Sequence, residues 1–198
     1  MKLIDIENHL QQFRVGIAGA GGLGSNCAAA LVRSGIGELV IADNDIVERS
    51  NLSRQFYFAE QVGMSKCDAL KNNLLKINDN IIIYTHQIKL NNDNIPVIFR
   101  GCKVIVEAFD SAEMKEMLIE TVLTALPETA LVVGTGMAGW GNNELIRYRK
   151  IDDTLHACGD ESTEASEELP PMAPRVGIVA NMQANVVVEI LMKTRINA

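Results

Sequence analysis

The stretch RVGIAGAGGLGSN, Arg14 to Asn26, decides the fold. Residues 14–18, RVGIA, form a short β-branched run, the pattern of a strand. Glycines follow at once, and from Leu23 to Ser34 the residues are small and helix-compatible, with apolar positions at helical spacing. Gly19-Ala20-Gly21-Gly22-Leu23-Gly24 therefore satisfies GxGxxG between a strand and a helix. Glycines there let the main chain approach phosphate oxygens closely, and the helix N-terminus supplies free N–H groups and a positive dipole end. ELVIAD (38–43) reads as a second buried strand ending in an acid, so Asp43 is placed to accept hydrogen bonds from ribose hydroxyls. The order strand, turn, helix, strand, acid points to nucleotide binding. The alternative is a glycine turn needed only for tight helix–strand packing.

Outward from that unit the alternation continues. KCDALKNNLLKIN (66–78) has an apolar stripe at helical spacing, and IIIYT (81–85) and KVIVEAF (103–109) are apolar runs typical of parallel strands covered on both faces. AEMKEMLIETVLTAL (112–126) is an amphipathic helix, followed by the strand ALVVGT (130–135). A late helical pattern runs through APRVGIVANMQANVVVEILMK, with Pro174 near its start. Strands alternating with helices predict a doubly wound, Rossmann-like, mostly parallel α/β sheet. We expect a single domain over 1–198. Two stretches break the rhythm: the long polar connection 44–63, and HACGDESTEASEELPP (156–171), acidic and closing in two prolines, which predicts a mobile loop.

Composition narrows the function classes. The 198 residues carry a net charge of -7, which argues against non-specific binding to nucleic acid or to an anionic membrane surface. No unbroken apolar run approaches the roughly 20 residues of a membrane span, and the N-terminus lacks a signal-peptide core, so a cytoplasmic protein is expected. The four cysteines, Cys27, Cys67, Cys102 and Cys158, are scattered without a CxxC pair, which indicates neither a zinc ribbon nor a disulfide framework.

The glycine turn alone leaves the nucleotide open. An NAD enzyme would add a catalytic His, Tyr/Lys or Cys, yet none of the three histidines sits beside a strand end with a partnering acid. The segment after Asp43 is more telling. Asp45, Arg49, Asn51, Arg54 and Gln55 lie close together, with Lys66 a little further on. Cations gathered beyond a phosphate-binding turn suit a triphosphate, because each arginine can contact two oxygens at once. Asp110 ends the strand in VIVEAFDS, at the carboxyl edge where doubly wound folds bind ligands, and a lone carboxylate facing phosphates would hold Mg²⁺.

GAGGLGSN, DND-x-V, SNLSRQ, VGMSK and EAFDS occur in the order and spacing of the ThiF/MoeB/HesA family, which this sequence resembles over roughly residues 14–193. PRVGIVANMQANVVVEIL is similar to that family's late helix. The resemblance implies an ATP-dependent adenylyltransferase acting on the C-terminal glycine of a small ubiquitin-like sulfur carrier ending in Gly-Gly, working as a homodimer. It implies that Gly19, Gly21, Gly22, Leu23, Gly24 and Asp43 hold adenosine and phosphates, with Asp45 nearby. Asn51, Arg54, Gln55 and Lys66 would serve the triphosphate and Asp110 the Mg²⁺. The chemistry needs no general base, since a carboxylate is already ionised at neutral pH. It needs charge neutralisation at the α-phosphate, the role implied for Arg54 and Lys66.

Departures from the family pattern refine this expectation. Many members hold a structural zinc in paired CxxC motifs; the corresponding region here has only Cys158, so no zinc is expected. Residues 1–13 contain no arginine to reach a partner subunit's site, and Arg14 is assigned no such role. No rhodanese-like domain is expected, which would leave sulfur transfer to another protein. The short, zinc-less form is most similar to a ThiF-like subgroup of thiamine thiazole synthesis. A molybdopterin-type or cysteine-modifying relative, a non-catalytic nucleotide-binding scaffold and an NAD-dependent oxidoreductase stand as alternatives. Cys158, placed in the expected mobile loop, is either a carrier-linked cysteine or an incidental exposed one. Trp140 either lines a groove or packs, and Arg147, Arg149 and Lys150 either meet an acidic carrier or form a solvated strand face.

Overall fold

The structure, a computed structural model, describes residues 2–194; Met1 and residues 195–198 of the expected 1–198 domain lie outside the described residues. Among the described residues seven strands build one sheet: β1 Arg14–Ala18, β2 Glu38–Ala42, β3 Ile82–His86, β4 Val104–Glu107, β5 Ala130–Thr135, β6 Arg147–Lys150 and β7 Leu155–Gly159. Their order across the sheet is β3-β2-β1-β4-β5-β7-β6. All neighbours are parallel except β6, which runs antiparallel to β7 at the edge. The helices are α1 Leu3–Leu10, α2 Gly22–Arg33, α3 Lys66–Leu75, the single turn α4 Ile95–Ile98, α5 Ala112–Ala125 and α6 Ala173–Lys193.

Alternation along the central strands assigns a helical layer to each face. Val15 and Ile17 of β1, with Val104 and Val106 of β4, pack in one cluster with α1, α2, α3 and α6. Ala18 and Ile105, with Leu131 and Val133 of β5, face α4 and α5 in the other. Burial on both sides explains why these strands read as continuous apolar runs. The face carrying α4 brings Phe99 so close to β1 that a Cβ on Gly16 would lie 2.6 Å from its ring. α6 is long and apolar enough to span a membrane by length and composition. Its Val179, Ala180, Val187 and Leu191 are nevertheless fully buried in the first cluster, so its apolarity serves the core.

Two expectations need correction. The stretch from His156 is not a loop throughout: Leu155 to Gly159 form β7, paired in parallel with β5 from Leu131 to Thr135. The irregular segment begins only at Asp160. Here the sheet overrides the local signal, because LHACG gains two flanking ladders and a buried face. Cys158 therefore belongs to a strand and is fully buried, which removes it from any exposed loop. The long connection 44–63 is irregular as expected, broken by short 3₁₀ turns at Arg49–Ser53 and Ala59–Gln61.

Candidate active site at the carboxyl edge of the sheet

The glycine turn takes its shape from two close approaches. Gly19 has φ +96°, a left-handed conformation that disfavours side chains, and a Cβ on Gly24 would lie 1.8 Å from the Gly19 carbonyl oxygen. Gly24 is thus needed for the turn to fold onto the helix, and it lies beneath the cavity rather than in its lining. The two residues that end the motif are braces. Ser25 Oγ donates to the Gly21 carbonyl at 2.6 Å and accepts from the Phe56 N–H at 3.0 Å. Asn26 Nδ2 donates to the carbonyls of Gly22 and Arg54, at 2.7 and 3.0 Å. Tyr57, buried, donates its hydroxyl to the Ala20 carbonyl at 2.7 Å, and burial raises its pKa further above the physiological range. Three of these hydrogen bonds, from Asn26 to Arg54, Phe56 to Ser25 and Tyr57 to Ala20, fasten the Arg54 segment against the turn, which explains why distant parts of the sequence meet there.

Above the turn is a cavity of about 550 Å³, of ligand-binding size, lined from every element that ends at this edge. Gly19, Gly21, Gly22 and Leu23 line it beside Asp43, Asp45, Arg54, Gln55, Lys66 and Asp110. The opposite wall includes Gly134 of β5, Gly136 and Ala138 just after it, and Thr163 to Ala165 of the segment between β7 and α6. Asn51 does not line it. Its Oδ1 accepts from the Glu48 N–H at 3.0 Å and its side chain is buried, so it shapes the 3₁₀ turn that precedes Arg54. Asp43 also has structural work: its two oxygens accept from the N–H groups of Ala20, at 2.6 Å, and Asp45, at 2.7 Å. A carboxylate offers about four acceptor sites, so capacity remains for ribose hydroxyls.

The cations differ in their surroundings. Lys66 Nζ pairs with Asp45 Oδ2 at 2.7 Å, the lysine side chain 8% exposed and the aspartate 57%. Lys66 is the first residue of α3, where a positive charge opposes the helix dipole. Arg54 donates to the Ser50 carbonyl at 3.3 Å and, among the described residues, makes no ion pair. Asp110 is exposed at the cavity and also unpaired among the described residues. No group of three metal-ligating side chains occurs among the described residues. A single carboxylate fits Mg²⁺, which keeps several waters and takes further oxygens from substrate phosphates.

Sequence reasoning missed Lys115, which also lines the cavity. Its Nζ pairs with Glu107 Oε2 and donates to the Gly134 carbonyl at 2.7 Å. Burial pushes Glu107 above the ordinary carboxylate range, and Lys115 with the N–H groups of Phe109 and Gly134 draws it back. The signal lay in EAFDSAEMK: an acid at the end of a buried strand and a lysine one turn into the next helix.

The remaining candidates are placed away from the cavity lining. Burial pushes the Cys158 thiol up to about 12. Trp140 is 68% exposed on the loop before β6 and not packed. Arg149 and Lys150 pair with this chain's own Glu161 and Asp153, at 2.8 and 2.6 Å. Arg14 pairs with Glu38 at 2.6 Å and lies over the Tyr84 ring. Met182 and Met192 pack against the first core cluster. The segment over the cavity is anchored at its base by a buried ion pair, Asp160 Oδ2 to Arg175 at 2.5 Å. Burial alone would raise Asp160, but hydrogen bonds from Thr163, Arg175 and backbone N–H groups hold it well below the usual carboxylate range.

Fold and cavity together define a doubly wound α/β protein with a glycine-turn pocket at the carboxyl edge of its sheet. Residues 4–198 match the ThiF family, and the chain belongs to it. The adenylyltransferase and sulfurtransferase UBA4 of Saccharomyces cerevisiae is 30% identical over 181 residues, 88% of this chain and 41% of that protein. The UBA4 of Eremothecium gossypii is 34% identical over 176 residues, 88% of this chain and 37% of that one. The chain thus spans less than half the length of these curated relatives. Among solved structures, Escherichia coli tRNA N6-threonylcarbamoyladenosine dehydratase TcdA in complex with ATP superposes with a TM-score of 0.85 at 18% identity, over 95% of this chain and 89% of that one. Escherichia coli MccB with ATP gives 0.73 at 24% identity, over 96% of this chain and 59% of that one. Both likenesses establish the fold.

Proposed function

We propose that this protein is an ATP-dependent adenylyltransferase that activates the C-terminal glycine carboxylate of a small ubiquitin-like sulfur carrier, with release of pyrophosphate. The observation that carries this reading is the convergence of Arg54, Lys66 and Asp110 on one cavity beside the glycine turn. A scaffold that only bound nucleotide would not need that set. Family membership and the adenylyltransferase names of the relatives support it. A carrier carboxylate oxygen attacks the α-phosphorus, the bond to the bridging oxygen of pyrophosphate breaks, and an acyl-adenylate forms. Both reactants are anions, so approach is the difficulty. Arg54 and Lys66 lower that barrier by neutralising phosphate charge within a walled cavity. Magnesium held at Asp110 would neutralise further charge on the leaving pyrophosphate. Asp45 keeps the Lys66 ammonium in place until a phosphate competes for it. The finer reading is a cytoplasmic homodimer serving a ThiS-like carrier of thiamine thiazole synthesis.

The test is ATP–pyrophosphate exchange with Mg²⁺, with and without a ThiS-like protein ending in Gly-Gly. Exchange should require the carrier and fall by about 10²-fold or more in Arg54→Ala. ATP binding without exchange, with ThiS-like and molybdopterin-type carriers alike, would overturn the catalytic reading in favour of a scaffold.

A further inference from the structure

Lys115 presents a cation that the charge arrangement around the triphosphate does not explain. It approaches the cavity from the β4 and β5 side, whereas Asp43 and Lys66 approach it from the β2 side. Its side chain is 26% exposed, while its partner Glu107 is wholly buried. A lysine ammonium carries three N–H donors. Glu107 and the Gly134 carbonyl take two of them, and the third has no acceptor among the described residues. Glu107 in turn accepts from the Phe109 N–H at 2.8 Å and the Gly134 N–H at 3.2 Å. The ammonium is therefore fixed from behind by a buried carboxylate and a carbonyl.

The wall around it differs chemically from the phosphate end. Gly134, Gly136, Ala138 and Ala165 contribute little or no side chain beside the larger Met114, Met137 and Glu164, and the small residues leave room for an unbranched chain end. We infer that Lys115 is the cation that receives the acyl substrate's carboxylate and orients it toward the α-phosphate. This inference rests on the adenylation reading and deepens it: Arg54 and Lys66 serve the nucleotide, and Lys115 serves the second substrate. A carboxylate held by one N–H of a lysine stays free to attack through its other oxygen.

A simple substitution would strand Glu107 as a buried charge and could unfold the protein. The decisive variant is the double change Glu107→Gln with Lys115→Met, which removes both charges together. It is compared with wild type, Lys115→Arg and Lys115→Met by equilibrium ATP binding and by carrier-dependent ATP–pyrophosphate exchange. The inference expects the double variant to bind ATP within about threefold of wild type, while exchange at saturating ATP falls about 10²-fold. Lys115→Arg should retain part of the exchange, with the loss expressed in the KM for carrier rather than for ATP. Wild-type-like exchange in the double variant would overturn the assignment, as would a parallel loss of ATP binding. Absence of exchange in wild type with every carrier would instead remove the adenylation reading, and this inference with it.

Discussion

Gly24 shows how little freedom the turn leaves. A methyl group there would meet the Gly19 carbonyl oxygen at 1.8 Å, backbone against backbone, with no side chain able to yield. Gly24→Ala should therefore lower the melting temperature and abolish ATP binding together, measurable by thermal unfolding with and without nucleotide. At Cys158 the outcome is the reverse of what its neighbours suggested. A buried thiol whose pKa is pushed up to about 12 is almost entirely protonated at neutral pH and unreactive. The folded protein should resist labelling of Cys158 by iodoacetamide until denaturant is added, and Cys158→Ala should keep exchange activity within a few-fold. Labelling of Cys158 at the rate of a free thiol in the native protein would contradict this burial. Charge neutralisation at Asp110 is equally local: Asp110→Asn should raise the Mg²⁺ concentration needed for half-maximal exchange, read from a metal titration.

The element that closes over the cavity is the segment from Asp160 to the start of α6, and the buried Asp160–Arg175 pair fixes its base. Thr163 binds Asp160 through its N–H and its hydroxyl, both at 2.7 Å, and accepts from the Ala138 N–H at 3.1 Å. The same carboxylate thus sets both the segment and the wall beneath it. Because the folded-state pKa of Asp160 is depressed, its stabilisation is fully present above the unfolded value near 3.8 and is lost as pH falls through and below it. Asp160→Asn should cost about 3–5 kcal/mol by leaving Arg175 buried without its partner. Urea unfolding at pH 7 measures that cost, and a shallower loss of stability between about pH 4 and 2 in the variant gives the sign of the linkage. The strand β7 carries the same lesson about context. His156 and Cys158 gave no strand signal in their own neighbourhood, yet pairing with β5 and β6 on either side makes LHACG interior sheet.

Across the whole molecule, the sheet order decides what the chain can do. Ordering the strands β3-β2-β1-β4-β5-β7 brings the ends of β1, β2, β4 and β5 to one edge, so residues from Gly19 to Thr163 share a cavity. If the homodimer reading holds, light scattering should give about twice the 21.6 kDa chain mass, with binding of a Gly-Gly carrier adding mass to that species. The sequence by itself determined the doubly wound sheet, the glycine turn, and the presence of Arg54, Lys66 and Asp110 at the site. Strand–helix alternation, glycine steric need and charge type are local properties that survive in a one-dimensional reading. Only the tertiary structure decided that Asn51 shapes a turn and does not line the cavity, that Cys158 is buried, and that Lys115 with Glu107 enters the site. Those facts depend on which groups the fold brings together and which it removes from water, and neither is written in the neighbours a residue has along the chain.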